Sequence, residues 1–355
     1  MITMKYIFAA LFLIVFLPAT KAQIQMETRF PDIRDKKGSL ITVNEMHGAL
    51  ANTNVYLDIL KHIHGQQPAD TINLFLEVPF SMAVWCNDFL SSGGKTLLPK
   101  GVYPSPEFWN QIVAQQIPAK IFGCDFEYDE QYKRNQSFVY LLRKTSDDLA
   151  AASMDTSLIS AYIGLVNGFK LTAKDTRSLI SQLQGMQVNA APSLKARIGQ
   201  MLFALNAPQK FGSGRDEFIY ERALEGIALH YFNYENRINV LIHGVAHINP
   251  AYKNSLFNRL RNSKDSPFAG KCFLIGNVYL DCKNNSGIFQ HETISSFSFY
   301  ALAKDDKPVT DFFKTLKLTP QQVYFLPVPE FTSVHFSGLK QEELLGVYVH
   351  EAIVN

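Results

Sequence analysis

Short apolar runs recur along this chain, and stretches with helical spacing separate them. Residues 39–43, 70–76, 119–123 and 238–242 read as buried strands. Each is apolar almost throughout rather than alternating, as expected where both faces of a parallel sheet are covered. Residues 50–64 follow the first run with apolar positions at helical intervals, and 106–116 form a second helix. There Ser105 is the expected N-cap and Pro106 the first helical residue, where a missing N–H costs nothing. Residues 128–210 are rich in Leu, Ala, Ser, Gln and Lys and predict two to four helices. Residues 215–232 form another, opening after the breaker Gly212-Ser213-Gly214. Further strands are expected at 271–282, 293–299 and 323–326, and a short helix at 309–316. Strands alternating with helices predict an α/β fold. Its central sheet is mostly parallel and flanked by helices, with a helical insertion over 128–212 as a cap and extra C-terminal strands. Solenoid repeats and low-complexity segments are absent from the sequence.

The N-terminus adds a compartment. Lys5 precedes an apolar run over 6–17, then Pro18 and Ala19-Thr20-Lys21-Ala22. That reads as a secretory signal peptide cut after Ala22; the run is too short for a stable membrane-spanning helix. The expected product is an exported protein, periplasmic or extracellular, with residues 23–355 as a single α/β domain and no stable membrane span. Removing Lys5 and Lys21 leaves 32 basic and 32 acidic residues. A neutral chain has no electrostatic reason to hold nucleic acid or an anionic membrane. Nucleic acid is therefore not an expected partner; oligomeric state is not legible.

Four cysteines remain: Cys86, Cys124, Cys272 and Cys282. Export permits disulfides. Residues 271–282 resemble a hairpin with Gly276-Asn277 at its tip, so Cys272 and Cys282 are expected near one another, where a bridge can form. Cys86 and Cys124 are left as paired or free. No Cys/His spacing suggests a structural zinc module.

The strand ends carry the chemistry. The first run closes in Asn44-Glu45-Met46-His47-Gly48, the second in Glu77-Val78-Pro79, the third in Gly123-Cys124-Asp125, and a later one in His243-Gly244-Val245-Ala246-His247. Ligands of open parallel sheets bind outside the carboxyl ends of the strands. Glu45, His47, Glu77 and His247 are thus expected in one crevice, with Asp125 as a fifth member. Such a cluster can coordinate a metal and activate water, or perform acid–base work without one. His243, inside an apolar strand, reads better as a buried core histidine. Arg215 opens a helix where a cation opposes the dipole, which marks it for an anionic substrate group or a site carboxylate. Asp216 and Glu217 suit a first helical turn. No Gly-x-Ser-x-Gly elbow, Walker A loop, Gly-x-Gly-x-x-Gly or HExxH motif occurs. His62 and His64 are two apart on a helix and do not share a face.

In order and rough spacing these elements resemble the erythromycin esterase/Tiki/ChaN superfamily across residues 39–250. Asn44-Glu45-Met46-His47-Gly48 resembles a Gly-Glu-x-His-Gly signature, with Asn44 in place of the first Gly. Glu77 looks like the family's second acid, Gly123-Cys124-Asp125 its Gly-x-Asp element, Arg215-Asp216 its helix start, and Gly244-Val245-Ala246-His247 its closing Gly-x-x-His. Asn tolerates a left-handed turn, and its amide can add a polar group to the site. The erythromycin esterase branch implies an exported hydrolase of an ester or amide bond. His47 is then the general base, Glu45 and Glu77 orient water and His47, and Arg215 and His247 assist the substrate or oxyanion. The Tiki branch implies a divalent metal (Mn, Co or Zn) with Glu45, His47 and His247 as ligands. The ChaN branch implies a non-enzymatic haem binder.

Overall fold

The structure, a computed structural model, describes residues 23–25, 30–49, 51–99, 101–127, 136–168, 170–206, 215–228, 233–280, 282–283, 293–294, 315–327, 339–351 and 353. The expected signal peptide, the breaker at 212–214 and most of the expected helix at 309–316 lie outside them.

In chain order the elements are β1 Gln23–Gln25, β2 Leu40–Glu45, α1 Asn52–Gln66, β3 Ile72–Pro79, α2 Phe80–Ser91, α3 Pro106–Ala114 and β4 Ala119–Asp125. Four helices follow: α4 Gln136–Ala151, α5 Ser157–Asn167, α6 Ala173–Val188 and α7 Pro192–Leu205. Then come α8 Arg215–Ala228, β5 Asn239–Gly244, α9 Leu256–Asn262, β6 Cys272–Leu280, β7 Cys282–Lys283, β8 Thr293–Ile294, β9 Gln322–Pro327 and β10 Leu344–Glu351.

Eight strands form one sheet in the order β1-β9-β10-β6-β2-β5-β3-β4. All its neighbours are parallel except β9 and β10, which run antiparallel. The α/β expectation therefore holds, including the added C-terminal strands. The inner strands β2 and β5 are buried along their whole length, which is why they read as unbroken apolar runs. On one face, Val55, Leu60 and Ile63 of α1 and Trp109 and Ile112 of α3 pack with Ile41, Val43, Leu74 and Ile242. On the other, Phe75, Phe122 and Leu241 share a cluster with Leu141, Leu183, Ile198 and Met201 from the helical insertion. The insertion thus continues the core of one sheet face. Ser105 caps α3 as expected, its Oγ accepting from Phe108 N at 3.2 Å. Among the described residues no helix is long and apolar enough to cross a membrane.

The hairpin at 271–282 is corrected. β6 runs straight through Gly276-Asn277, which pair with Val347 and Tyr348 of β10. A buried apolar run outweighs a two-residue turn signal when a neighbouring strand saturates its backbone. Eight strand steps carry Cys272 about 26 Å from Leu280, far beyond the roughly 6 Å Cα spacing of a disulfide. All four cysteines are free and buried. Helices α2 and α9 and strands β1 and β10 were not anticipated. Strand β10, with its apolar Leu-Leu-Gly-Val-Tyr-Val run, carried a readable signal.

Intact protein should accordingly react sluggishly with a thiol reagent. Denatured without reductant, it should release four thiols per chain; fewer, with recovery on reduction, would mean a disulfide.

Candidate active site

The strand register aligns the chemistry. Glu45 lies opposite Gly244 across β2 and β5, and Leu76, one residue before Glu77, lies opposite Ile242. Asp125 ends the adjacent β4. The chain leaves β2 through Gly48, whose φ of +81° is the left-handed region where glycine carries no side-chain penalty. That turn folds His47 back so that its Nδ1 meets Glu45 Oε1 at 2.7 Å and its Nε2 lies 3.3 Å from Glu77 Oε2.

Glu77 is the centre. Its side chain is only 2% exposed, and both oxygens are engaged. Oε2 accepts from Gly244 N at 2.8 Å and faces His47. Oε1 accepts from Arg215 Nη2 at 2.7 Å and faces His247 Nε2 at 3.3 Å. Arg215 also grips Asp125, Nε to Oδ1 at 3.1 Å and Nη2 to Oδ2 at 2.5 Å. This two-pronged pairing is what a guanidinium does best. A cation at a helix start is unfavourable by itself, and here two carboxylates offset it. His247 Nδ1 is bonded to Asp216, one residue on in α8. The next residue, Glu217, pairs outward with Arg259 at 2.6 Å.

Glu45 has its own shell. Its carboxylate is fully buried. Oε2 accepts from the Tyr56 hydroxyl and from Asn52 Nδ2 at 3.1 Å. Tyr103, on the connection between α2 and α3, donates its hydroxyl to Oε1, the oxygen that also holds His47. Tyr279 of β6 locks the set, donating to Asn52 Oδ1 at 2.7 Å and accepting from Met46 N at 3.2 Å. Sequence reading missed these four residues. Asn52 and Tyr56 sit four apart on one face of α1, a spacing that could have been noticed; Tyr103 and Tyr279 gave no local signal.

One expectation changes. Asn44 is a strand residue paired with His243, and its side chain reaches across to β6. Its Oδ1 accepts from Asn277 N at 2.8 Å, so it serves the sheet, and no left-handed turn is needed at that position. Arg215 meets one of its two expected partners, a site carboxylate, in both Glu77 and Asp125. His243 is a core histidine as expected: fully buried, 3.6 Å from Glu77 through Nδ1 and 3.4 Å from Cys124 Sγ through Nε2.

Protonation follows from this geometry. Burial opposes charge on His47, but its bonds to Glu45 and Glu77 overcome that and raise its pKa to about 11. Burial likewise opposes charge on His247, and Asp216 and Glu77 raise it to about 9. For Glu77, burial disfavours ionisation, yet the two histidines hold it well below the usual carboxylate range. Burial depresses His243 to about 3, so it is neutral. At neutral pH three cations (His47, His247 and Arg215) therefore face the carboxyl groups of Glu45, Glu77, Asp125 and Asp216. Of the three, His47 is the most open, with 47% of its side chain exposed against 14% for His247.

The expected metal set does not fit this arrangement. Among the described residues no three of His, Cys, Asp or Glu are disposed to hold a metal ion. Tyr56, Tyr103, Asn52 and His47 take up Glu45, while both nitrogens of His47 and of His247 turn to carboxylates.

No protein-family model and no curated protein matches the sequence. Solved structures do match. A Bacillus cereus protein has a TM-score of 0.53 at 13% identity, covering 92% of this chain and 93% of that one. A succinoglycan biosynthesis protein has the same score and identity, covering 92% of each chain. An erythromycin esterase mutant in its open conformation has a TM-score of 0.49 at 11% identity, covering 88% of this chain and 91% of that one. The first two share the fold with this protein.

Replacing Glu77 with Gln should cost about 3 kcal/mol of stability, read as a lower urea midpoint with the slope unchanged. The folded chain raises the pKa of His247, so its stabilisation is whole below pH 6.5 and is lost as pH rises through about 9. The melting temperature should fall over that interval, and His247→Gln should flatten the fall.

Proposed function

We propose that this chain is an exported hydrolase of the erythromycin esterase-like type, cleaving an ester or amide bond in a small molecule or peptide by activating water. One observation carries the reading: an open imidazole, His47, is clamped between two buried carboxylates at the carboxyl edge of a parallel sheet. A general base needs solvent access, a fixed orientation and a free nitrogen lone pair. Glu45 fixes the orientation by holding Nδ1–H at 2.7 Å. The contact of Nε2 with Glu77 is longer, at 3.3 Å, so the Nε2 proton is the one released. Neutral His47 then takes a proton at Nε2 from a water molecule as its oxygen attacks the carbonyl carbon, and passes that proton to the leaving group. Negative charge building on the carbonyl oxygen is countered by the His247 cation, which Asp216 holds in place. Arg215 keeps Glu77 and Asp125 in position.

The sign of the pH dependence follows. Resting His47 is protonated, with its pKa raised to about 11, so the base form grows as pH rises. The kcat/KM of the free enzyme should climb about tenfold per pH unit from neutrality to about pH 9 and level off beyond, where the His247 cation is lost; a profile falling between neutrality and pH 9 would contradict His47 as the base. His47→Ala should lower kcat by about 10²–10⁴-fold while leaving the circular dichroism spectrum unchanged. A wild-type chain inert toward a broad panel of esters and amides would sink the proposal.

A further inference from the structure

We propose that Tyr103 is a positioning residue for His47, acting through the one Glu45 oxygen that the two side chains share. The inference rests on the hydrolase reading only for its kinetic consequences. Glu45 Oε1 accepts both the Tyr103 hydroxyl and His47 Nδ1. Oε2 is held separately, by Tyr56 and Asn52. The carboxylate is buried, so each donor it receives fixes its plane and disperses its charge. Tyr56 and Asn52 belong to one helix and fix one oxygen. Tyr103 reaches Oε1 from the connection between α2 and α3, opposite the turn that carries His47, and so sets the direction from which His47 can approach. Its ring stands edge-on to the His47 imidazole, centroids 6.1 Å apart at 83°, and walls one side of the ring. Buried against Glu45, the Tyr103 hydroxyl keeps its proton well beyond its ordinary range and therefore remains a donor. Removing that one oxygen leaves His47 free to slide along Oε1 and to turn its Nε2 away from the line to Glu77.

The test uses full-length protein labelled with nitrogen-15 histidine at fixed pH. Wild type should show a downfield proton on His47 Nδ1, assigned by its absence from His47→Ala. Tyr103→Phe should move that resonance or lose it to exchange, with the circular dichroism spectrum unchanged and the melting temperature lowered no more than by Tyr56→Phe. Tyr56→Phe, which strips a donor from the other oxygen, should leave it in place. On any ester the enzyme cleaves, Tyr103→Phe should lower kcat about tenfold with KM unchanged. An unaltered His47 resonance in Tyr103→Phe, or none in wild type, would overturn the assignment. The resonance needs no substrate, so a chain inert toward every ester would sink the hydrolase reading and still leave the role of Tyr103 decided.

Discussion

A single buried carboxylate organises this molecule. Glu77 sits at the end of β3 with almost no exposure to water, and an ion so placed is tolerated only with donors on every side. They come from separate parts of the chain: the backbone of Gly244 at the end of β5, His47 after β2, Arg215 at the start of α8, and His247 beyond β5. The crevice is thereby fixed by electrostatics as much as by packing. Gly244 shows how tightly. A Cβ there would lie 3.0 Å from His47 Nε2 and 3.3 Å from Glu77 Oε2, so a side chain at that position would part the imidazole from its acid.

That constraint has a chemical consequence. The buried Glu77 that these donors make tolerable, together with Glu45 and Asp216, also charges the histidines among them. A site built this way is strong at holding positive charge against a developing anion and weak at generating a base near neutrality. Burying the carboxylates and opening His47 resolves part of the conflict: solvent meets an imidazole, and the acids lie behind it.

Much of this was legible in the sequence, for a physical reason. Parallel strands covered on both faces are read as apolar runs, and an ionisable residue that ends such a run stands out against them. Glu45, Glu77 and Asp125 announced themselves that way, and Arg215 by opposing its helix dipole. What stayed hidden depends on long-range pairing. Gly276-Asn277 looks like a turn until β10, more than 60 residues on, supplies its hydrogen bonds. Tyr103 and Tyr279 are ordinary aromatic residues until the fold brings their hydroxyls to Glu45 and Asn52. The protonation of His47 was equally out of reach, because it follows from two carboxylates supplied by different strands.

Asn44 joins the two themes. It stands one residue before Glu45, on β2. Its carbonyl oxygen accepts from Asn277 Nδ2 at 2.7 Å and its side-chain oxygen from Asn277 N at 2.8 Å. Asn277 Oδ1 in turn meets His350 Nε2 of β10 at 2.8 Å. Glycine has no side chain and could supply only the first of these bonds. The Asn44 side chain therefore adds a second tie between β2 and β6 at the point where pairing in register ends, at Val43 and Ile275. Glu45 is the next residue along, and its carboxylate must stay aligned with α1, Tyr103 and His47. Asn44 is, in this fold, a brace for the strand that carries Glu45.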